Sequence, residues 1–110
     1  MAALNVSPEA LADLQEIKKY ITDELGNPAA AKRMVTGITK AMRRLKRFPR
    51  SGAPLSSHVE IPTDYRFVVY GNYLAFYRYS GDTVFVIRVL YGKRDYISIL
   101  FPNLPGDEKL

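Results

Sequence analysis

The stretch "NYLAFYRYSGDTVFVIRVLYGKRD", residues 72–95, decides the fold. Two runs dense in Val, Ile, Tyr and Phe, residues 73–79 and 83–91, flank the turn "SGD". Such runs around a glycine turn predict a β-hairpin. Just upstream, "YRFVVY" (65–70) and the turn "GN" predict a third strand, so the C-terminal half reads as an antiparallel meander. With strict alternation, Tyr73, Ala75, Tyr77 and Tyr79 share one face, and Leu74, Phe76 and Arg78 the other. In the last strand Phe85, Ile87, Val89 and Tyr91 oppose Val84, Val86, Arg88 and Leu90. Both faces are largely apolar, whereas an antiparallel sheet normally wets its second face.

Upstream the pattern changes to helices. "AALNV" (2–6) suits a short opening strand. Ser7, Pro8 and Glu9 then supply a cap, a first-turn proline and a dipole-complementing acid. Leu14, Ile17, Ile21 and Leu25 recur at helical spacing, and Gly26 stops the helix. Asn27 and Pro28 start a second helix whose apolar stripe is Met34, Ile38, Ala41, Leu45 and Phe48, ended by Pro49. So short a link predicts an antiparallel helix hairpin. One helix pair covers one face of the sheet. The expected fold is therefore α+β: an N-terminal strand, a two-helix hairpin on one face of a twisted antiparallel sheet, and a short C-terminal tail.

The second face then holds an apolar patch around Leu74 and Phe76, rimmed by Arg66, Arg78 and Arg88. Such patches mark interaction surfaces. The competing reading is that "YISILFPNL" (96–104) folds back over it. In "GKRD", Gly92 lets the chain leave the sheet, Lys93 and Arg94 join the rim, and Asp95 holds a neighbouring arginine.

Composition narrows the chemistry. The 110 residues match one domain, 1–110, with 102–110 as a frayed tail. There is no cysteine and one histidine, His58, so neither a thiolate nor a histidine metal site is expected, and no cofactor is implied. No apolar run reaches the ~18 residues of a membrane span. The opening "MAALNVSPEA" lacks a signal peptide's charged start and long apolar core, and the expected compartment is the cytoplasm. Net charge is +5, and no acidic residue occurs from Gly26 to Val59, where Lys32, Arg33, Lys40, Arg43, Arg44, Lys46, Arg47 and Arg50 all fall. Such a block attracts nucleic acid, ribosomes or an acidic protein, or it is simply a solvated helix face.

The strand-and-turn signature resembles that of the RelE/ParE superfamily of type II toxin–antitoxin toxins, closest to the ParE branch. The match lies at Phe76, Tyr77, Arg78, Arg88, Val89, Leu90, Gly92, Arg94 and Asp95, with Tyr91 where the branch usually has histidine. "SPEALADLQEI" and "LKRFPRSGAPL" also fit, so the resemblance spans residues 3 to about 101. It implies a toxin that stabilizes plasmids by inhibiting DNA gyrase and is neutralised by a cognate antitoxin. DNA is then met only indirectly, through the antitoxin complex.

RelE-like relatives instead imply a ribosome-dependent mRNA interferase. Arg66 and Arg94 are similar to two of that set's basic residues, and Tyr96 is its candidate acid. Val68 and Leu74 stand where the nucleases carry Lys and Arg, and Leu100 or Phe101 where a terminal Tyr belongs. RNA cleavage without metal needs a base, an acid and cations at the phosphorane. No base is evident. The expected binding residues, for target or antitoxin, are Arg66, Leu74, Phe76, Arg78, Arg88, Lys93 and Arg94. From another class, a non-toxic protein-interaction module fits the same surface.

Overall fold

The structure is a computed structural model describing residues 1–103. It contains β1 (Ala3–Val6), α1 (Pro8–Lys19), α2 (Pro28–Arg44), β2 (Ala53–Pro54), β3 (Arg66–Tyr70), β4 (Tyr73–Ser80), β5 (Thr83–Tyr91) and α3 (Tyr96–Leu100). The five strands form one sheet in the order β1-β5-β4-β3-β2. The meander β3-β4-β5 is antiparallel, with Gly71 and Gly81 at positive φ in its two turns. β1 adds to β5 in parallel, Ala3 facing Thr83 and Val6 facing Val86. No helix among the described residues is long and apolar enough to cross a membrane.

Local chemistry starts both helices as expected. The Ser7 hydroxyl accepts from the Ala10 amide (2.9 Å), and the Asn27 side chain accepts from the Ala30 amide (3.0 Å). The link carries Gly26 at φ 63°, a left-handed position costly for other residues. Two details differ from strict helical periodicity. α1 runs on into a π turn, Tyr20–Glu24, whose wider winding carries Leu25 off the apolar face into solvent. α2 ends at Arg44, so Phe48 sits in the exit turn and is 53% exposed rather than in the core stripe.

The main core lies between the helices and the sheet. Leu14 and Ile17 of α1, Ile21 of the π turn, and Ile38, Met42 and Leu45 from α2 and its C-cap pack on Ala75, Tyr77, Val84, Val86 and Val89. Val89 joins Val84 and Val86 on one face because β5 carries a bulge. Phe76 pairs with Arg88 and Tyr77 with Val86, leaving Ile87 without a partner. The extra residue shifts the alternation, and so corrects the strict assignment of Val89 to the opposite face.

The second face is not open. Leu55, Phe76 and Leu90 form a smaller buried cluster, flanked by Phe67, Leu74, Tyr96, Ile99, Leu100 and Phe101. The C-terminal segment does fold back, as the competing reading held. It does so as α3, capped by Asp95, whose carboxylate accepts from the Ser98 amide (3.3 Å) and hydroxyl (2.7 Å). Asp95 thus holds a helix end, not an arginine. The tail expected from residue 102 lies, beyond Asn103, outside the described residues.

Candidate functional site

The residues singled out from the sequence separate into three groups. Arg88 and Arg66 are tied into the fold. The Arg88 guanidinium donates from Nε (2.7 Å) and Nη2 (2.8 Å) to the Asp13 carboxylate, which also accepts from the Val89 amide (2.9 Å). Asp13 is only 4% exposed. β1 ends opposite Val86, so the outer backbone groups of β5 beyond it need other partners. The Ser7 hydroxyl donates to the Ile87 carbonyl (2.7 Å), and Asp13 takes the Val89 amide. Bonding to Asp13 raises the Arg88 pKa above its already high ordinary value. Arg88 is therefore a structural cation rather than part of a rim.

Arg66 pairs across the sheet with Tyr77, on the helix side. Its Nη1 donates to the Gly52 carbonyl (2.8 Å) and the Arg50 carbonyl (3.3 Å). The Tyr77 hydroxyl donates to the Pro49 carbonyl (2.7 Å) and accepts from the Gly52 amide (3.0 Å). Together they pin the exit loop of α2. Gly52 has no room for a side chain, since a Cβ there would meet the Tyr77 hydroxyl and the Phe67 carbonyl. Burial pushes the Tyr77 phenol above its usual range, and Tyr73 likewise.

The second group packs inside the smaller cluster. Phe76 has no exposure, which corrects its place on an open patch, and Leu74 is half-buried. Tyr96 lies against Phe76, ring centroids 5.1 Å apart. His58, on the exposed loop, sets its ring edge-on to Phe67. Arg66 and Tyr96 therefore serve opposite faces of the sheet, and the trio Arg66, Arg94 and Tyr96 is not gathered into one site.

The third group is exposed. Lys93 and Arg94 stand in the turn after β5, with no ion pair among the described residues, while Arg78 meets Asp64 (2.8 Å) at the surface. These cations can bind anions. Among the described residues the carboxylate next in sequence to Lys93 and Arg94 is that of Asp95, and it is engaged with Ser98. Among the described residues no three His, Asp or Glu side chains gather as a metal site.

One surface escaped the sequence reading. β2 pairs only with Arg66 and Phe67, so among the described residues the outer edge of β3 from Val68 to Tyr70 has no strand partner. Beside it runs a cleft of about 400 Å³ lined by Ala41, Arg44, Phe48, Gly52, Val68 and Val69. Val69 is 59% exposed. An unpaired edge next to apolar side chains can accept an added strand. The signal in the sequence was Phe48, directly before the helix-stopping Pro49 and read there as core.

Comparison with known proteins agrees with this architecture. The family model described as "ParE toxin of type II toxin-antitoxin system, parDE" matches residues 4–96. Among solved structures, the chromosomal ParDE toxin–antitoxin system of P. aeruginosa superposes with a TM-score of 0.68 at 23% identity, covering 83% of this chain and 96% of that one. The RelBE2 toxin–antitoxin complex of Mycobacterium tuberculosis gives 0.58 at 18% identity, covering 82% and 96%. No curated protein matches. The chain belongs to the ParE toxin family of type II toxin–antitoxin systems.

Proposed function

We propose that this ParE-family chain acts in the cytoplasm by binding DNA gyrase, not by cleaving RNA, and that a cognate antitoxin neutralises it. The observation that carries this reading is the separation of the would-be nuclease set. Arg66 is engaged with loop carbonyls on the helix side, whereas Tyr96 is packed on Phe76 across the sheet and Arg94 stands exposed on the turn just before it. Cleavage needs its acid, base and cations within hydrogen-bond reach of one phosphate. Binding needs only an exposed, complementary surface. Lys93, Arg94 and Arg78 supply exposed cations for the target.

The antitoxin's natural seat is the cleft between α2 and the free edge of β3. An extended segment would add to Val68–Tyr70 and set apolar side chains against Phe48 and Val69, with acidic ones meeting Arg44 and Arg47. A rim cation that binds is partly replaceable by another cation, unlike one fixed on a phosphorane. Arg94→Lys is thus expected to keep most growth arrest and Arg94→Ala to lose most of it. Induction in cells tests the target: DNA breaks and SOS induction are expected. The exposed pair Lys93 and Arg94 favours the RelE-like interferase as second reading. Ribosome-bound mRNA cleavage that disappears in Tyr96→Phe would promote it.

A further inference from the structure

We infer that the outer face of α2 is a binding surface for the phosphate backbone of duplex DNA, engaged by this chain directly. At 100° per residue, Lys32, Arg33, Lys40, Arg43, Arg44 and Arg47, the last carried just past the helix end, fall within one arc of roughly 120°. That arc is diametrically opposite the core stripe of Ile38, Met42 and Leu45. All six cations are exposed. None has a carboxylate within ion-pair distance among the described residues.

A face built only for solubility mixes signs, because like charges three or four residues apart destabilise a helix. Within α2, Lys40–Arg43 and Lys40–Arg44 are such pairs, and each costs about 0.2–0.5 kcal/mol. The helix dipole offsets this for Arg43 and Arg44 in the last turn. It does nothing for Lys32 and Arg33 near the positive end. The repulsion is relieved by a polyanion.

The type of polyanion follows from what accompanies the cations. Lys32, Arg33, Lys40 and Arg44 line a shallow groove of about 400 Å³ with Thr36, Gly37 and Tyr70. The Tyr70 ring lies against Gly37, where a Cβ would run into it. The absent side chain makes room for the phenol end of the ring against the helix. The groove offers charge and two hydroxyls, and all of its lining but Tyr70, at the end of β3, belongs to α2. An acidic peptide would need a row of apolar anchors and free backbone partners, and most of those lie beyond Arg44 in the cleft along β3, at Phe48, Val68 and Val69. A phosphate backbone needs neither. From Lys32 to Arg44 the axis runs ~18 Å, a length of duplex carrying roughly ten phosphates. This is direct contact with DNA, which the family resemblance does not imply, and it does not depend on which target the toxin poisons.

The test is fluorescence anisotropy of the full chain with a labelled 20-base-pair duplex, titrated at several salt concentrations. A straight helix reaching about four phosphates gives a log–log salt slope near −3.6. Replacing Lys40, Arg43, Arg44 and Arg47 by Gln should weaken binding at least tenfold near 100 mM salt and flatten the slope toward zero. Replacing Lys18, Lys19, Lys93 and Arg94 by Gln removes the same charge elsewhere and should leave most of the affinity. Circular dichroism confirms that both variants fold. Equal losses in the two variants, or none in the first, would overturn the assignment. So would tighter binding of single-stranded RNA, or displacement of the duplex by polyglutamate at equal charge concentration, which would reassign the face to acidic protein.

Discussion

The two faces of the sheet are both buried, but by different means. The helix face is covered by α1 and α2, which pack a continuous apolar core and add polar staples: Asp13 on Arg88 and Val89, and Tyr77 on Pro49 and Gly52. The other face is covered by five residues of α3 and the loop around Leu55, with no side-chain hydrogen bond from α3 to the sheet. Burial alone therefore does not say how firmly a face is held. A staple fixes geometry, because breaking it strands a charge or an amide. A short apolar cover can lift and return.

The largest expected effect is at the staple. Asp13→Ala leaves the Arg88 guanidinium and the Val89 amide without their partner, and should destabilise by about 4 kcal/mol in urea unfolding. Replacing the pair together, Asp13→Leu with Arg88→Met, should recover most of that loss, since an apolar pair needs no partner. A double variant no better than the single would mean the bidentate geometry itself holds the bulge.

Ending the chain before Tyr96 sharpens the contrast. The helix face should stay folded, with stability lowered by about 3 kcal/mol from re-exposed Phe76 and Leu90. A strong rise in apolar dye binding should accompany it. Cooperative loss of all secondary structure would show that the two faces are one unit.

Tyr77→Phe removes one hydroxyl that serves two loop groups and should cost about 1–2 kcal/mol. It should also blunt alkaline unfolding. The Tyr77 pKa is raised in the fold, so the folded state keeps its proton while the unfolded chain loses one above pH ~10. Stability is full below that pH and falls as pH rises through it. Tyr73, raised for the same reason, should keep a residual alkaline transition in the variant.

The smallest effect is expected on the covering face. Among the described residues the Tyr96 phenol has no side-chain hydrogen bond while its ring packs on Phe76, so Tyr96→Phe should shift stability by less than about 0.5 kcal/mol. A shift of several times that size would assign the hydroxyl a partner and reopen the face as a site.

These differences follow the kinds of signal a linear sequence carries. The hairpin strands were legible because Val, Ile, Tyr and Phe cluster between positive-φ glycines, and the helix starts because Ser7 and Asn27 precede prolines. The bulge was not. An extra residue at Ile87 leaves no compositional mark, yet it turns Val89 toward the helices. α3 has five residues, too few for periodicity to separate from a frayed apolar tail. The Asp13–Arg88 pair joins residues 75 apart, and nothing near either one names the other. The candidate cations were found by type, but only tertiary structure divides them. Arg66 and Arg88 are consumed by the fold, while Lys93 and Arg94 remain free for a partner.

The parallel pairing of β1 with β5 has a consequence in time. Ala3 cannot meet Thr83 until nearly the whole chain has been made, and closing so distant a contact is slow. At ~5–20 residues per second, synthesis of the intervening 80 residues takes roughly 4–16 s. During that interval the last strand is missing and both faces of the sheet are unfinished. A chain whose first strand must wait for β5 cannot close this sheet while it is still being made.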